Sequence, residues 1–232
     1  MEILKVGTYS FYRSIYPPVE SNMYVLLENN EAIVVDSNIC PELLSIFWQN
    51  SIVKVHLFLT HEHYDHSHGI TWFKRYIKTI LYCHQFCSDG LSTKKRSLPR
   101  LVALVIARKD KENGTNLLEK FNEEFIDYSF QADFSLQNED VIKIGKHTIQ
   151  CIYTPGHSLG SCMYVLDDKF AFTGDSLILN HKIITSFRSG SKEDFYEMTL
   201  PKLRALPPDM MIMPGHGRTF KKKEFNFDIY HV

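Results

Sequence analysis

The sequence predicts an α/β protein whose β-sheets are covered by helices, with one helical insertion. Three observations carry this. Apolar, β-branched runs alternate with segments of helical spacing along most of the chain. The stretch 85–133 drops the strand pattern and reads as helix instead. And 232 residues, 44% hydrophobic and 23% charged, are enough for one large core. With no repeat, low-complexity segment or clear linker, a single domain over 1–232 is the simplest organisation.

Met23 to Leu27 and Ala32 to Asp36 predict strands flanking a hairpin turn at Glu28-Asn29-Asn30-Glu31. Pro41 suits the first position of a helix carrying Leu43, Leu44, Phe47 and Trp48. Val53 to Thr60 reads as a buried strand running into His61, Gly69 to Ile77 as helix, and Ile80 to Cys83 as a short strand. Within 85–133, Lys94-Lys95-Arg96 is a basic cluster and Pro99 to Arg108 an apolar helix. Thr115 to Tyr128 places Leu117, Leu118, Phe121, Phe125 and Ile126 on one helical face. Strands resume at Val141–Ile144, Thr148–Tyr153, Ser161–Val165 and Lys169–Thr173. A helix over Ser191 to Leu206 is capped by Ser191 and kinked or divided by Pro201. Met210 to Met213 is the last core strand, and Lys221-Lys222-Lys223 opens a polar tail.

Composition narrows the function. Lys+Arg 26 against Asp+Glu 27 leaves a net charge of −1, with no electrostatic footprint for nucleic acid or an anionic membrane. The longest apolar run, Leu101 to Ala107, falls far short of the roughly 20 residues that span a bilayer. No basic-then-apolar leader opens the chain, and the 5 cysteines are irregularly spaced, so a reducing, cytoplasmic setting is expected. Asn113-Gly114-Thr115 then reads as a turn, not a glycosylation site.

The histidines point to chemistry. Of 11, His56, His61, His63, His66 and His68 crowd together around one strand end. In Thr60-His61-Glu62-His63-Tyr64-Asp65-His66, His61 and His63 can grip one metal while Asp65 and His66 turn to a second. Three further segments place a ligand in a Gly/Pro turn after a strand: His157 in TPGHS, Asp175 in TGDS and His216 in PGHG. Imidazole with carboxylate is the donor set of hydrolytic metal sites that keep positions open for water.

HEHYDH, TPGHS, TGDS and PGHG, in this order, resemble the metallo-β-lactamase superfamily, its glyoxalase II-like branch above all. The likeness runs from about Lys5 to Arg218, the insertion apart. It implies a four-layer αββα sandwich with a dinuclear metal site at one edge. By the resemblance His61, His63 and His157 would bind one ion, and Asp65, His66 and His216 the other. Asp175 would bridge them, and Asp36 would support the site from behind. The implied cofactors are two divalent metal ions, zinc by default with iron or manganese open. A hydroxide bridging them would attack an electrophilic carbonyl or phosphorus, with Asp65 as the catalytic residue that orients it or takes its proton. The expected function is therefore a metal-dependent hydrolase of a small ester, thioester, lactone or phosphoester, with a small-molecule substrate as partner. The chain ends soon after His216, so the C-terminal helical domain that helps glyoxalase II hold glutathione is not expected, which counts against a glutathione thioester.

Rival classes are an iron-dependent redox enzyme of the persulfide dioxygenase kind, and a protein that keeps the metal but only binds a ligand. The insertion at 85–133 is expected to be a lid over the pocket or a homodimer surface. A packed or edge position is expected for His56, core packing for Cys83 and Cys87, and a surface role, ahead of a place near the site, for His84; Tyr64 lines the pocket or its loop. His68 is read as capping the following helix ahead of touching substrate, and Arg188 as bracing a loop or meeting a substrate anion.

Overall fold

The computed structural model describes residues 1–125 and 129–230. Among them, strands β1 (Glu2–Val6), β2 (Tyr9–Tyr16), β3 (Ser21–Glu28), β4 (Glu31–Val35), β5 (Lys54–Leu59), β6 (Lys78–His84) and β7 (Phe134–Leu136) form one sheet in that order. β1 to β4 pair antiparallel and β4 to β7 parallel. A second sheet runs β13-β12-β11-β10-β9-β8, from β8 (Val141–Ile144), β9 (His147–Tyr153), β10 (Cys162–Leu166), β11 (Phe170–Gly174), β12 (Met211–Pro214) and β13 (Phe220–Lys221). Here only β11 and β12 pair parallel.

Side-chain parity builds the layers. Ile33, Val35 and Phe58 point between the sheets, where they meet Tyr164, Phe170, Phe172 and Met213. The alternate residues Ala32, Val34, Val55, Leu57 and Leu59 face the other way. They pack on α1 (Glu42–Gln49), α3 (Ile70–Tyr76) and α4 (Gln85–Leu91) through Leu43, Phe47, Ile70, Phe73, Cys87 and Leu91. Burial on both faces is why β5 from Val55 to Leu59 is an unbroken apolar run apart from His56. The outer face of the second sheet is covered by Phe195, Leu200, Leu203 and Leu206, with Phe225 and Tyr230 from the C-terminal end. The result is four layers, αββα.

Several expectations need correcting. Two N-terminal strands, β1 and β2, escaped the pattern because their exposed residues break the apolar runs. Trp48 is 83% exposed, so the core face of α1 is Leu43 and Phe47. The stretch from Lys221 is no free tail: it contributes β13 and two 3₁₀ turns, with Phe225 and Tyr230 buried. The helix after Ser191 is α8 (Lys192–Asp194), a π turn over Phe195–Thr199, and α9 (Leu200–Ala205). Ser191 Oγ accepts from the Asp194 N–H at 3.1 Å as the cap. Pro201 lacks the N–H to continue the ladder, and the π turn takes up the shift in register.

The stretch 85–133 connects two neighbouring parallel strands, β6 and β7. It holds α4, then α5 (Lys94–Ser97), α6 (Pro99–Asn113) and α7 (Leu117–Glu124). α6 ends on Gly114 in the left-handed region at φ 66°. The end of the predicted second helix, Ile126–Tyr128, lies outside the described residues.

Candidate metal centre

Every predicted ligand stands just beyond the carboxyl end of a strand. His61 and His63 follow β5, and Asp65 and His66 lie on the short α2 (Tyr64–Ser67) that begins there. His157 follows β9, Asp175 follows β11 and His216 follows β12. The turns are built for close approach. A Cβ on Gly215 would sit 2.3 Å from Asp175 Oδ1, so only glycine lets the His216 loop pass. Gly156 has φ 137° and presses on Phe195, while its carbonyl accepts from Ser191 and Thr199 Oγ1 donates to the Pro155 carbonyl at 2.5 Å. The helix over the second sheet thus pins the His157 turn.

The side chains converge. The donor atoms of His61, His63 and His157 all lie within 4.8 Å of one another, as do those of Asp65, His66 and His216, and those of His61, His66 and Asp175. His66 Nε2 is 3.4 Å from Asp65 Oδ2 and 3.5 Å from Asp175 Oδ1. His157 Nε2 and His216 Nε2 are 3.4 and 3.5 Å from Asp175 Oδ2. These gaps exceed a normal hydrogen bond. They match the edge of a tetrahedron with bonds of about 2.0–2.1 Å, which is about 3.4 Å. His61 Nε2, His66 Nε2 and Asp175 Oδ1 are buried and make no hydrogen bond among the described residues. Orphaned polar atoms in a packed interior cost roughly 1–3 kcal/mol each. A set of imidazole nitrogens and carboxylate oxygens aimed at one space is the arrangement that divalent cations satisfy, so these residues fit a pair of such ions.

A supporting layer sets the tautomers. Asp36, just past β4 at φ 58°, accepts from the Thr60 N–H at 2.8 Å and from Thr60 Oγ1, and its Oδ2 lies 2.9 Å from His66 Nδ1. Thr60 Oγ1 in turn is 3.0 Å from His61 Nδ1. His157 Nδ1 donates to the Ile184 carbonyl at 3.0 Å. Each contact fixes Nδ1 and turns Nε2 inward. His63 is reversed: its Nδ1 faces the cluster, 3.0 Å from His157 Nε2. Asn22, unremarked in the sequence, anchors the His216 loop by donating its side-chain amide to the Pro214 and Gly217 carbonyls, both at 2.9 Å.

The electrostatics divide the cluster. Burial holds His61 and His157 below the ordinary imidazole range and brings His63 down to about 3, so these rings are neutral with free lone pairs. Burial opposes ionisation of Asp65 and Asp175 as well, but His66 and His216 outweigh it and hold both well below the carboxylate range. By the same pairing, and against burial, His66 is raised and His216 reaches about 10.

Glu62, between two predicted ligands, also went unrecognised. Its side chain is fully buried behind the cluster. Arg96 of α5 donates to Oε1 at 2.8 and 3.2 Å, Ser158 donates to Oε2 at 2.9 Å, and Ser189 donates to Oε1 at 3.4 Å. The signal was present as one acid in the ligand motif and one Arg in the basic cluster 94–96. Arg188, the expected brace, is exposed. His68 does not cap α3, whose N-cap is Gly69. It is buried, its ring 4.2 Å from Tyr16 and 5.5 Å from Tyr64. His84 is likewise buried, stacked on Tyr153 at 4.2 Å. His56 lies between Glu31 and Tyr82, and all 5 cysteines are free and buried. Tyr64 packs under the insertion with Val102, Ile106 and Phe121.

Two depressions open on the cluster. One, of about 200 Å³, reaches His63, Asp65, His157, Asp175 and His216 and is roofed by α6. The other, of about 260 Å³, shares His157, Asp175 and His216 and is edged by His181 and Lys182.

Comparison with known proteins agrees with this geometry. The family model of the metallo-beta-lactamase superfamily matches residues 16–216. Human persulfide dioxygenase ETHE1 is 34% identical over 87 residues, 37% of this chain and 34% of that protein. The chain thus aligns with only about a third of that enzyme's length. Hydroxyacylglutathione hydrolase of Rhodopseudomonas palustris is 38% identical over 103 residues, 42% of this chain and 38% of the relative. Among solved structures, the di-iron-bound form of TTHA1623 superposes with a TM-score of 0.68 at 18% identity, covering 92% of this chain and 96% of that one.

Proposed function

The chain belongs to the metallo-beta-lactamase superfamily, a fold that binds divalent metals, and from that premise we propose that it is a dinuclear metal-dependent hydrolase. Its substrate is a small ester, thioester, lactone or phosphoester, and its ions are zinc in preference to iron or manganese. One observation carries the reading: the triad Asp65, His66 and His216 is as closely drawn together as His61, His63 and His157, and Asp175 lies against both. His61, His63 and His157 would hold the first ion, Asp65, His66 and His216 the second, and Asp175 would lie against both. Such ions would supply a water acidic enough to ionise near neutrality and a positive charge for the oxygen under attack. Asp65, ionised at the mouth of the site, orients the attacking water and receives its proton. Asp36 and Thr60 keep the His66 and His61 imidazoles in the ligating tautomer, and α6 roofs one side of the site. The five unpaired cysteines suit a reducing cytoplasm.

A one-iron oxygenase is the second reading, favoured by the local identity to human ETHE1. Metal analysis of protein purified without chelator, alongside a chromogenic ester and thioester panel, tests both. Two ions per chain with hydrolysis abolished by chelation and restored by zinc supports the hydrolase. One iron per chain with oxygen consumption on a persulfide, and no hydrolysis, overturns it.

A further inference from the structure

We infer that the depression beneath α6 is an acyl pocket, selecting substrates whose acyl group is an uncharged chain of about six to eight carbons. This rests on the hydrolase reading and adds the substrate class. Leu98, Leu101, Val102 and Val105 recur at i, i+3, i+4 and i+7, and so lie on one face of α6 and its N-cap. Ile184 and Phe187 close the opposite side. Apart from the metal-cluster residues, this lining is entirely apolar, so a charge placed there would lose its hydration with no partner.

The two sides of the cluster differ at the rim. The neighbouring depression shares Ile184 and has Ile178 and Ile183 in its wall, but exposed His181 and Lys182 stand at its edge, where a polar or anionic leaving group can sit and depart into solvent. The α6 side offers nothing to such a group. Val105 and Ile184 are 40% and 54% exposed, apolar surface that an occupant would cover. α6 does not lack packing elsewhere: its adjacent face, through Ile106 and with Val102 on the boundary between the two faces, already seats on Tyr64 and Phe121. The face with Leu101 and Val105 is the one turned to the site. Size follows from volume. A protein cavity of about 150 Å³ takes a six-carbon ring, so about 200 Å³ takes a chain slightly larger. In the reaction the water oxygen bonds to the acyl carbon as the acyl C–O or C–S bond breaks. The carboxyl so formed stays at the cluster with its chain under α6, and the departing alcohol or thiol oxygen or sulfur takes up the proton and leaves past Lys182.

The test is an acyl series with a constant leaving group, p-nitrophenyl acetate to decanoate, on the zinc-loaded protein. It is paired with binding of straight-chain alcohols, butanol to decanol, followed by thermal shift with and without zinc. Alcohol affinity is expected to rise about fourfold or less per methylene, to a plateau near eight carbons. kcat/KM should peak at six to eight acyl carbons. Val105→Trp, at a partly exposed position, should lower the octanoate-to-acetate ratio of kcat/KM by about tenfold or more and weaken octanol binding. Leu101→Asn provides a second variant with the same expected direction. A flat acyl profile with active hydrolysis overturns the pocket and leaves the hydrolase standing. Chain-length-dependent alcohol binding that Val105→Trp weakens, with no ester turned over, keeps the pocket and removes the hydrolase. Alcohol binding insensitive to both variants overturns the pocket whatever the activity.

Discussion

Replacing Arg96 with Met tests whether the insertion braces the metal loop. The Glu62 carboxylate is fully buried, and burial pushes its pKa up although Arg96 pulls it back. Removing one partner of a buried pair costs roughly 3–5 kcal/mol, because a charge is left uncompensated. Two features reduce that here. Arg96 keeps 19% of its side chain exposed, and Ser158 and Ser189 still donate to Glu62 in the variant. A loss of about 2–3 kcal/mol is therefore expected. At about 2–4 °C per kcal/mol for a domain of this size, Tm should fall by about 5–10 °C. Glu62→Gln removes the charge that the loss of Arg96 exposes, so the double variant should be more stable than the two single effects added together, by about 1–3 kcal/mol. Thermal unfolding of the four proteins at fixed zinc gives the cycle. A fall below about 2 °C for Arg96→Met, or strict additivity, would refute the brace.

Asp175→Asn removes a negative charge that two cations would share, and metal content by elemental analysis should drop from two ions per chain to one or fewer. Asp36→Asn keeps a residue tolerant of the left-handed backbone but loses the acceptor on His66 Nδ1; zinc affinity by competition with a chromophoric chelator should weaken about 10- to 100-fold. Asp167 accepts from Tyr9 and the Thr148 N–H and pairs with His147, tying β2 to the β9–β10 region. Those bonds outweigh burial and hold its pKa below the ordinary value. A depressed carboxyl adds stability above its unfolded pKa of about 3.9 and loses it as pH falls through the folded value. The Tm gap between wild type and Asp167→Asn should thus be constant above about pH 5 and close in stronger acid; a gap that widens on acidification would contradict this.

The parts of the molecule legible in the sequence are those with local signatures. The buried strands announced themselves as apolar runs, and the clustered residues as histidines and aspartates following those runs, three of them in Gly/Pro turns. β1 and β2 did not, because the edge strand β1 exposes Ile3 and its neighbour β2 exposes Ile15, which leaves no clean alternation in either. Glu62 was hidden for a different reason. Its meaning depends on Arg96, 34 positions away, and no local pattern states that a carboxylate between two histidines turns inward to meet it. His84 and His68 were misjudged likewise, since ring stacking on Tyr153, Tyr16 and Tyr64 is a tertiary fact.

The insertion supports both the metal-loop residues and the pocket beside them. Tyr64 stands between His63 and Asp65 and packs against α6 and α7, while Glu62 stands between His61 and His63 and is held by α5. Both residues interleaved with the first four predicted ligands are thereby fixed by the insertion and not by the sheet. The same α6 presents its neighbouring face to the mouth of the site. A rigid sheet edge sets where the donor atoms begin, and a variable crossover sets both how the ligand loop is clamped and what is seated beside it. Selectivity and metal geometry therefore share a support. Truncating the insertion would disturb both at once, whereas single side chains on the pocket face of α6 can alter the first without touching the Arg96–Glu62 contact that serves the second.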